Sequence, residues 1–144
     1  MRMDYRIYAV EELGKLNQLY VAERNIKSRI SEIDTVLRSA GGGGNGMPGG
    51  SGDNKTEHKW LSLIASKDDE KARLRGVCRE IKRIEDALSV LTQVEEKVLR
   101  ELYVVGRNVV EFAAAEYTSR ATVYRLRDEA MVKFTRALFG VVVT

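Results

Sequence analysis

The stretch VVEFAAAEYTSRATVYRLRDEA, residues Val109–Ala130, decides the fold. Its first part is short and alanine-rich, its last part carries apolar residues at helical spacing, and Tyr117-Thr118 lies between them. Two helices joined by so tight a turn need apolar residues where they cross and a small residue where their backbones come closest. Phe112, Val123 and Leu126 supply the apolar residues, and Ala113 the small one. This is helix-turn-helix spacing. One helix is expected near Asn108–Glu116, and the next, capped by Thr118 or Ser119, runs to about Phe139.

Upstream, Thr92-Gln93-Val94-Glu95 has the Thr-x-x-Glu form of a capping box, in which each side chain satisfies a free backbone N–H of the first turn. The helix it opens, Gln93–Val105, should stop at Gly106, a residue suited to the left-handed cap position. Three helices thus fill residues 92–140. VVV at 141–143 is too short to pair as a strand.

Further out, eight of the 12 glycines and the only proline fall in GGGGNGMPGGSG, Gly41–Gly52. Glycine loses the most backbone entropy on ordering, so residues 41–52 read as a flexible loop. On either side the pattern is alike. Leu16, Leu19, Ile26, Ile30, Ile33 and Leu37 form one stripe, broken at Glu12 and Glu23. Trp60, Leu63, Leu74, Val77, Ile81, Ile84, Leu88 and Leu91 form another, broken at Lys67 and Glu70. Steps of three and four describe coiled-coil seams. Residues 1–40 and 53–91 therefore read as two long helices folding back as an antiparallel hairpin, with the polar breaks expected to weaken it or admit a second chain. Trp60 reads as an anchor at the hairpin end, and Cys78, beside Val77, as packing. The expected fold class is all-α: an N-terminal, coiled-coil-like hairpin and a C-terminal three-helix module.

Composition limits the function. Of 144 residues 44% are apolar and 31% charged, and the net charge of +3 excludes a non-specific polycation. No window reaches the apolar length of a membrane span, and MRMDYRIYAVEEL has no signal-peptide core, so a cytoplasmic location is expected. One cysteine and one histidine make neither a disulfide framework nor a zinc site. There is no phosphate-binding glycine loop ending in Lys-Ser/Thr, no Ser/His/Asp set and no carboxylate pair beyond surface helix charges. No enzyme, cofactor or metal is expected.

FAAAEYTSRATVYRLRDEA resembles, without gaps, the region 4 helix-turn-helix of sigma-70 factors, the matching positions being Phe112-Ala113, Ser119-Arg120 and Val123–Leu126. The whole layout is similar to small late-operon transcriptional activators of Gram-positive phages and prophages. The resemblance implies a DNA-binding regulator of transcription in a bacterial host cell that also contacts RNA polymerase. Two positions depart from the pattern. Tyr117 takes the turn slot that usually holds a glycine with positive φ, and Glu116 takes an apolar slot.

Helical geometry then assigns faces to the last helix. Val123, Leu126, Ala130, Phe134 and Leu138 form its buried stripe, and Ala121, Thr122, Tyr124, Arg125 and Asp128 lie opposite. The N-terminal part of such a helix enters the major groove of double-stranded DNA. Arg125 is the candidate for reading guanine, and Tyr124 and Thr122 for a thymine methyl or a phosphate. Ser119, Arg120, Arg127 and Arg107 are placed for the DNA backbone.

A second basic stretch, KARLRGVCREIKR (Lys71–Arg83), holds six cations against Glu80. It extends the phosphate contacts, meets an acidic partner, or is a solvated face paired with glutamates of the first helix. A homo-oligomer formed through the N-terminal helices fits a DNA-binding regulator. Two other readings stay open: a phage small terminase subunit, in which the DNA module usually comes first, and a helical scaffold that binds no DNA.

Overall fold

A computed structural model describes residues 4–42 and 53–141, and among them the fold is all-α. Two long helices, α1 (Tyr5–Gly42) and α2 (Asp53–Leu88), precede α3 (Gln93–Leu99), α4 (Val109–Ala115) and α5 (Arg120–Phe139). No helix of the described residues is long and apolar enough to cross a membrane. The expected glycine loop begins two residues late, since Gly41 and Gly42 end α1; residues 43–52 and 142–144 lie outside the described residues.

Contacts divide the chain into two units. A core unit comprises residues up to Tyr20 and from Glu80 onward, and a paired-helix unit is Val21–Arg79. The division crosses both long helices instead of falling at the capping box.

In the paired-helix unit the seam is only half-closed. Ile26 is buried, while Ile30, Ile33, Leu37, Leu63, Leu74 and Val77 are half-buried. Trp60 is exposed and, with Val36 and Leu63, lines a shallow cleft. The polar breaks, expected to weaken the pairing, are matched across it. Lys67 pairs with Asp34, and Arg29 Nε lies 3.1 Å from Glu70, which Arg73 also holds at 2.9 Å. The Cys78 thiol donates to Glu23 at 3.4 Å, and Lys27 stands 3.7 Å from the same carboxylate. The partners of residues 23, 29 and 34 run backwards along α2, as antiparallel segments require.

The core unit closes fully. Ala9, Leu13 and Leu16 of α1, Ile84, Ala87 and Leu88 of α2, and Ala130, Met131 and Phe134 of α5 are buried. α2 ends at Leu88, three residues before the expected 91. Leu91, still buried beyond a turn in which its N–H donates to Leu88 O at 3.1 Å, had extended the apolar pattern past the helix.

The capping box forms as expected. Glu95 N–H donates to Thr92 Oγ1 at 3.2 Å, and Thr92 N–H to Glu95 Oε1 at 3.0 Å. Glu95 is buried, and Lys133 of α5 reaches it at 3.0 Å. These donors hold its carboxyl below the usual carboxylate range although burial, the largest single influence, pushes the other way.

Beyond Leu99 the pitch changes: Arg100–Val105 is a π-helical continuation of α3. At its end the N–H groups of Gly106 and Arg107 both donate to Glu101 O, and Asn17 Nδ2 donates to Val104 O at 2.9 Å. Gly106, at φ +94°, closes the segment in the left-handed region as its position predicts.

Candidate nucleic-acid interface

The candidate surface is built by α4, the turn after it and the first half of α5. Asn108 Oδ1 caps α4 by accepting from Glu111 N–H at 2.8 Å. α4 ends at Ala115, so Glu116 leaves the helix and pairs with Lys97 at 2.6 Å. The pair balances the charge of Glu116 at the end of α4. Tyr117 follows with φ +53° and its side chain 97% exposed. A left-handed conformation disfavours any Cβ. It is held here because Thr118 N–H donates to Ala113 O at 3.0 Å and Ser119 must stay extended to cap α5.

Phe112, Ala113 and Val123 meet Val98 in one buried cluster, with Leu102, Val109 and Leu126 packed against it. The stripe assigned to α5 holds at Val123, Ala130 and Phe134; Leu126 and Leu138 are only half-buried, and Met131 and Thr135 are buried as well. The opposite face is open. Ala121, Tyr124, Arg125 and Asp128 are exposed, and Thr122 is half-buried.

Each candidate contact residue has a definite setting. Ser119 Oγ accepts from Thr122 N–H at 3.1 Å and lies 2.8 Å from Thr122 Oγ1, so both hydroxyls are engaged in the cap. Arg120, the first residue of α5, is exposed. Arg125 extends into solvent, 62% exposed, with Glu129 one turn on at 3.3 Å. Arg127 is half-buried; its guanidinium stacks over the Tyr124 ring at 4.9 Å and donates twice to Asp128 Oδ1, at 2.9 and 3.1 Å. Arg107 stands off this helix and pairs with Glu101 at 3.3 Å.

No family model, curated protein or solved structure matches this chain.

The structure thus brings Arg120, Thr122, Tyr124, Arg125 and Arg127 together on one helix end, with Ser119 as its cap and Arg107 before α4. Two residues outside the expected contact set join them. Arg6 of α1 donates to Asp128 Oδ1 at 2.7 Å, and this hydrogen bond, ahead of Arg127, holds the Asp128 carboxyl below its ordinary range. Arg6 lies 122 positions away, and nothing local in the sequence marks it. Asp128 was legible on the exposed face, and its effect is to fix Arg127 against Tyr124. The surface mixes signs, which suits orientation over bulk attraction.

Proposed function

We propose that this chain is a sequence-specific, DNA-binding regulator of transcription in which α4 and α5 act as a helix-turn-helix and α5 reads the major groove. The observation that carries the reading is the left-handed Tyr117 turn. It fills the glycine-type slot of the motif and leaves α5 with one face packed through Val123 and the other open at Ala121, Tyr124 and Arg125. A groove about 12 Å wide admits such a helix.

In this account Arg125, long and solvent-extended, offers its two-pronged donors to guanine. Tyr124 and Thr122 meet a thymine methyl or a phosphate. Arg120, Arg127, Arg107 and the Ser119 end of the helix orient the protein on the backbone. The paired helices before this module serve to join chains, and RNA polymerase is the partner that the sigma resemblance implies.

The test is binding of the full chain to a tiled panel of duplexes from around its own gene, at several salt concentrations. One promoter-proximal fragment is expected to be preferred, and Arg125→Ala should lower that preference by about 1–3 kcal/mol. Unchanged preference in Arg125→Ala sinks the assignment of the reading face. No binding above background at low salt leaves a helical scaffold as the better description.

A further inference from the structure

The six cations of Lys71–Arg83 are not equivalent. Arg73 is held by Glu70, Lys82 by Asp86 at 2.7 Å, and Arg83 by Glu12 at 3.0 Å while it also lies over the Phe139 ring. Lys71, Arg75 and Arg79 make no hydrogen bond or ion pair among the described residues, and all three are exposed. Lys71 adds weakly to the field that lowers the Asp34 carboxyl, but Lys67 already occupies that group.

These three sit at steps of four along α2 and so share one face over about 12 Å of helix. That face points away from the seam residues Leu74, Val77 and Ile81. Asp68 and the paired Lys82–Asp86 mark its two ends, and the small residues Ala72 and Cys78 flank it between the cations. The Val21–Arg79 unit carries 11 basic residues against eight acidic ones, which accounts for the whole net charge of +3; the core unit is neutral.

We propose that Lys71, Arg75 and Arg79 form a second, sequence-independent contact for the phosphate backbone of duplex DNA. The proposal rests on DNA being the ligand of α5. A protein partner would need an aromatic or apolar anchor at the centre of its footprint, and this face has none. Three free cations beside small residues instead suit a charged backbone that approaches closely and is met without base contacts.

The experiment is a salt titration of the full chain on a short duplex lacking the preferred site, followed by fluorescence anisotropy. Each phosphate neutralised contributes about −0.9 to the slope of log K against log salt, so Lys71→Gln/Arg75→Gln/Arg79→Gln should flatten the slope by about two to three. A control with the same charge change, Lys27→Gln/Arg73→Gln/Lys82→Gln, removes cations already in ion pairs and should move the slope by less than about one. Circular dichroism shows whether both variants keep their helices, and all substituted side chains are exposed. Equal slope changes in the two variants, or none in the first, overturn the proposal. Site preference surviving beside an unmoved slope sinks the stripe alone. A flattened slope in a chain that prefers no site sinks the reading of α5 and leaves the stripe standing. A chain that binds no duplex at all removes both.

Discussion

The core unit and the paired-helix unit draw on the same two long helices and solve burial in different ways. Among the described residues, every fully buried apolar side chain except Ile26 belongs to the core unit. There, segments of all five helices exclude water from both sides of each other. The paired-helix unit has two helices, so its seam residues other than Ile26 keep an open flank, and charged pairs take the places between them. Apolar burial scales with area removed from water, so the first unit holds most of the stability. The second relies on matched charges, which contribute little energy but oppose a shifted alignment of the two helices.

The largest expected effect separates the units directly. Phe134→Ala, at a fully buried site of α5, should cost about 3–5 kcal/mol in denaturant unfolding, whereas Leu74→Ala in the half-closed seam should cost about 1. Equal costs would erase the distinction.

Acid should act next on the core unit. Glu85 accepts from Tyr20 and Arg100, and these bonds depress its carboxyl although burial opposes them; Glu95 is depressed in the same manner. A depressed carboxylate contributes stability above its unfolded value, about 4.3, and that contribution is lost as pH falls through the folded value. Stability measured from pH 6 downward should therefore drop below about pH 4.3, and the drop should shrink in Glu85→Gln. A Glu85→Gln curve as steep as the parent's would contradict this.

Two substitutions should raise stability. Thr135 buries a hydroxyl with no partner among the described residues, so Thr135→Val, of equal shape, should gain about 1 kcal/mol. Tyr117→Gly relieves a left-handed residue that packs on nothing and should gain about 0.5–1 kcal/mol, read as a higher melting temperature. A loss in the latter would mean that the Tyr117 ring has a role in the fold.

The smallest effect tests the paired-helix unit. Burial first, and then the Glu23 carboxylate, push the Cys78 thiol up. Glu23→Gln should therefore raise the rate of Cys78 alkylation at mildly alkaline pH, and an unchanged rate would remove Glu23 as its partner.

What was legible in the chain follows the reach of each signal. Caps are local, and Thr92/Glu95, Gly106 and Ser119 stand as their residue types predict. The stripe of α5 was legible because burial repeats at helical steps. The π-helical segment was not, since Val98 and Leu102 fit an α-helix equally well and a carbonyl near its end is met by Asn17, 87 positions away. The partners of Glu23, Lys67 and Glu70 were hidden for the same reason: a polar break reads as a fault until the facing helix supplies its counter-charge. On the candidate surface, position along α5 told which side chains face outward, but not that Arg127 is stacked and half-buried while Arg125, paired with Glu129, keeps most of its side chain exposed.

The most direct measurement is amide chemical-shift mapping of the full chain during titration with the preferred duplex. The largest changes should fall on Thr118–Asp128, with Tyr124 and Arg125 among them, and the Val98 and Phe134 amides inside the core should move little. Changes confined to other helices, or none at a duplex excess that saturates binding, would contradict the claim that the open face of α5 meets DNA.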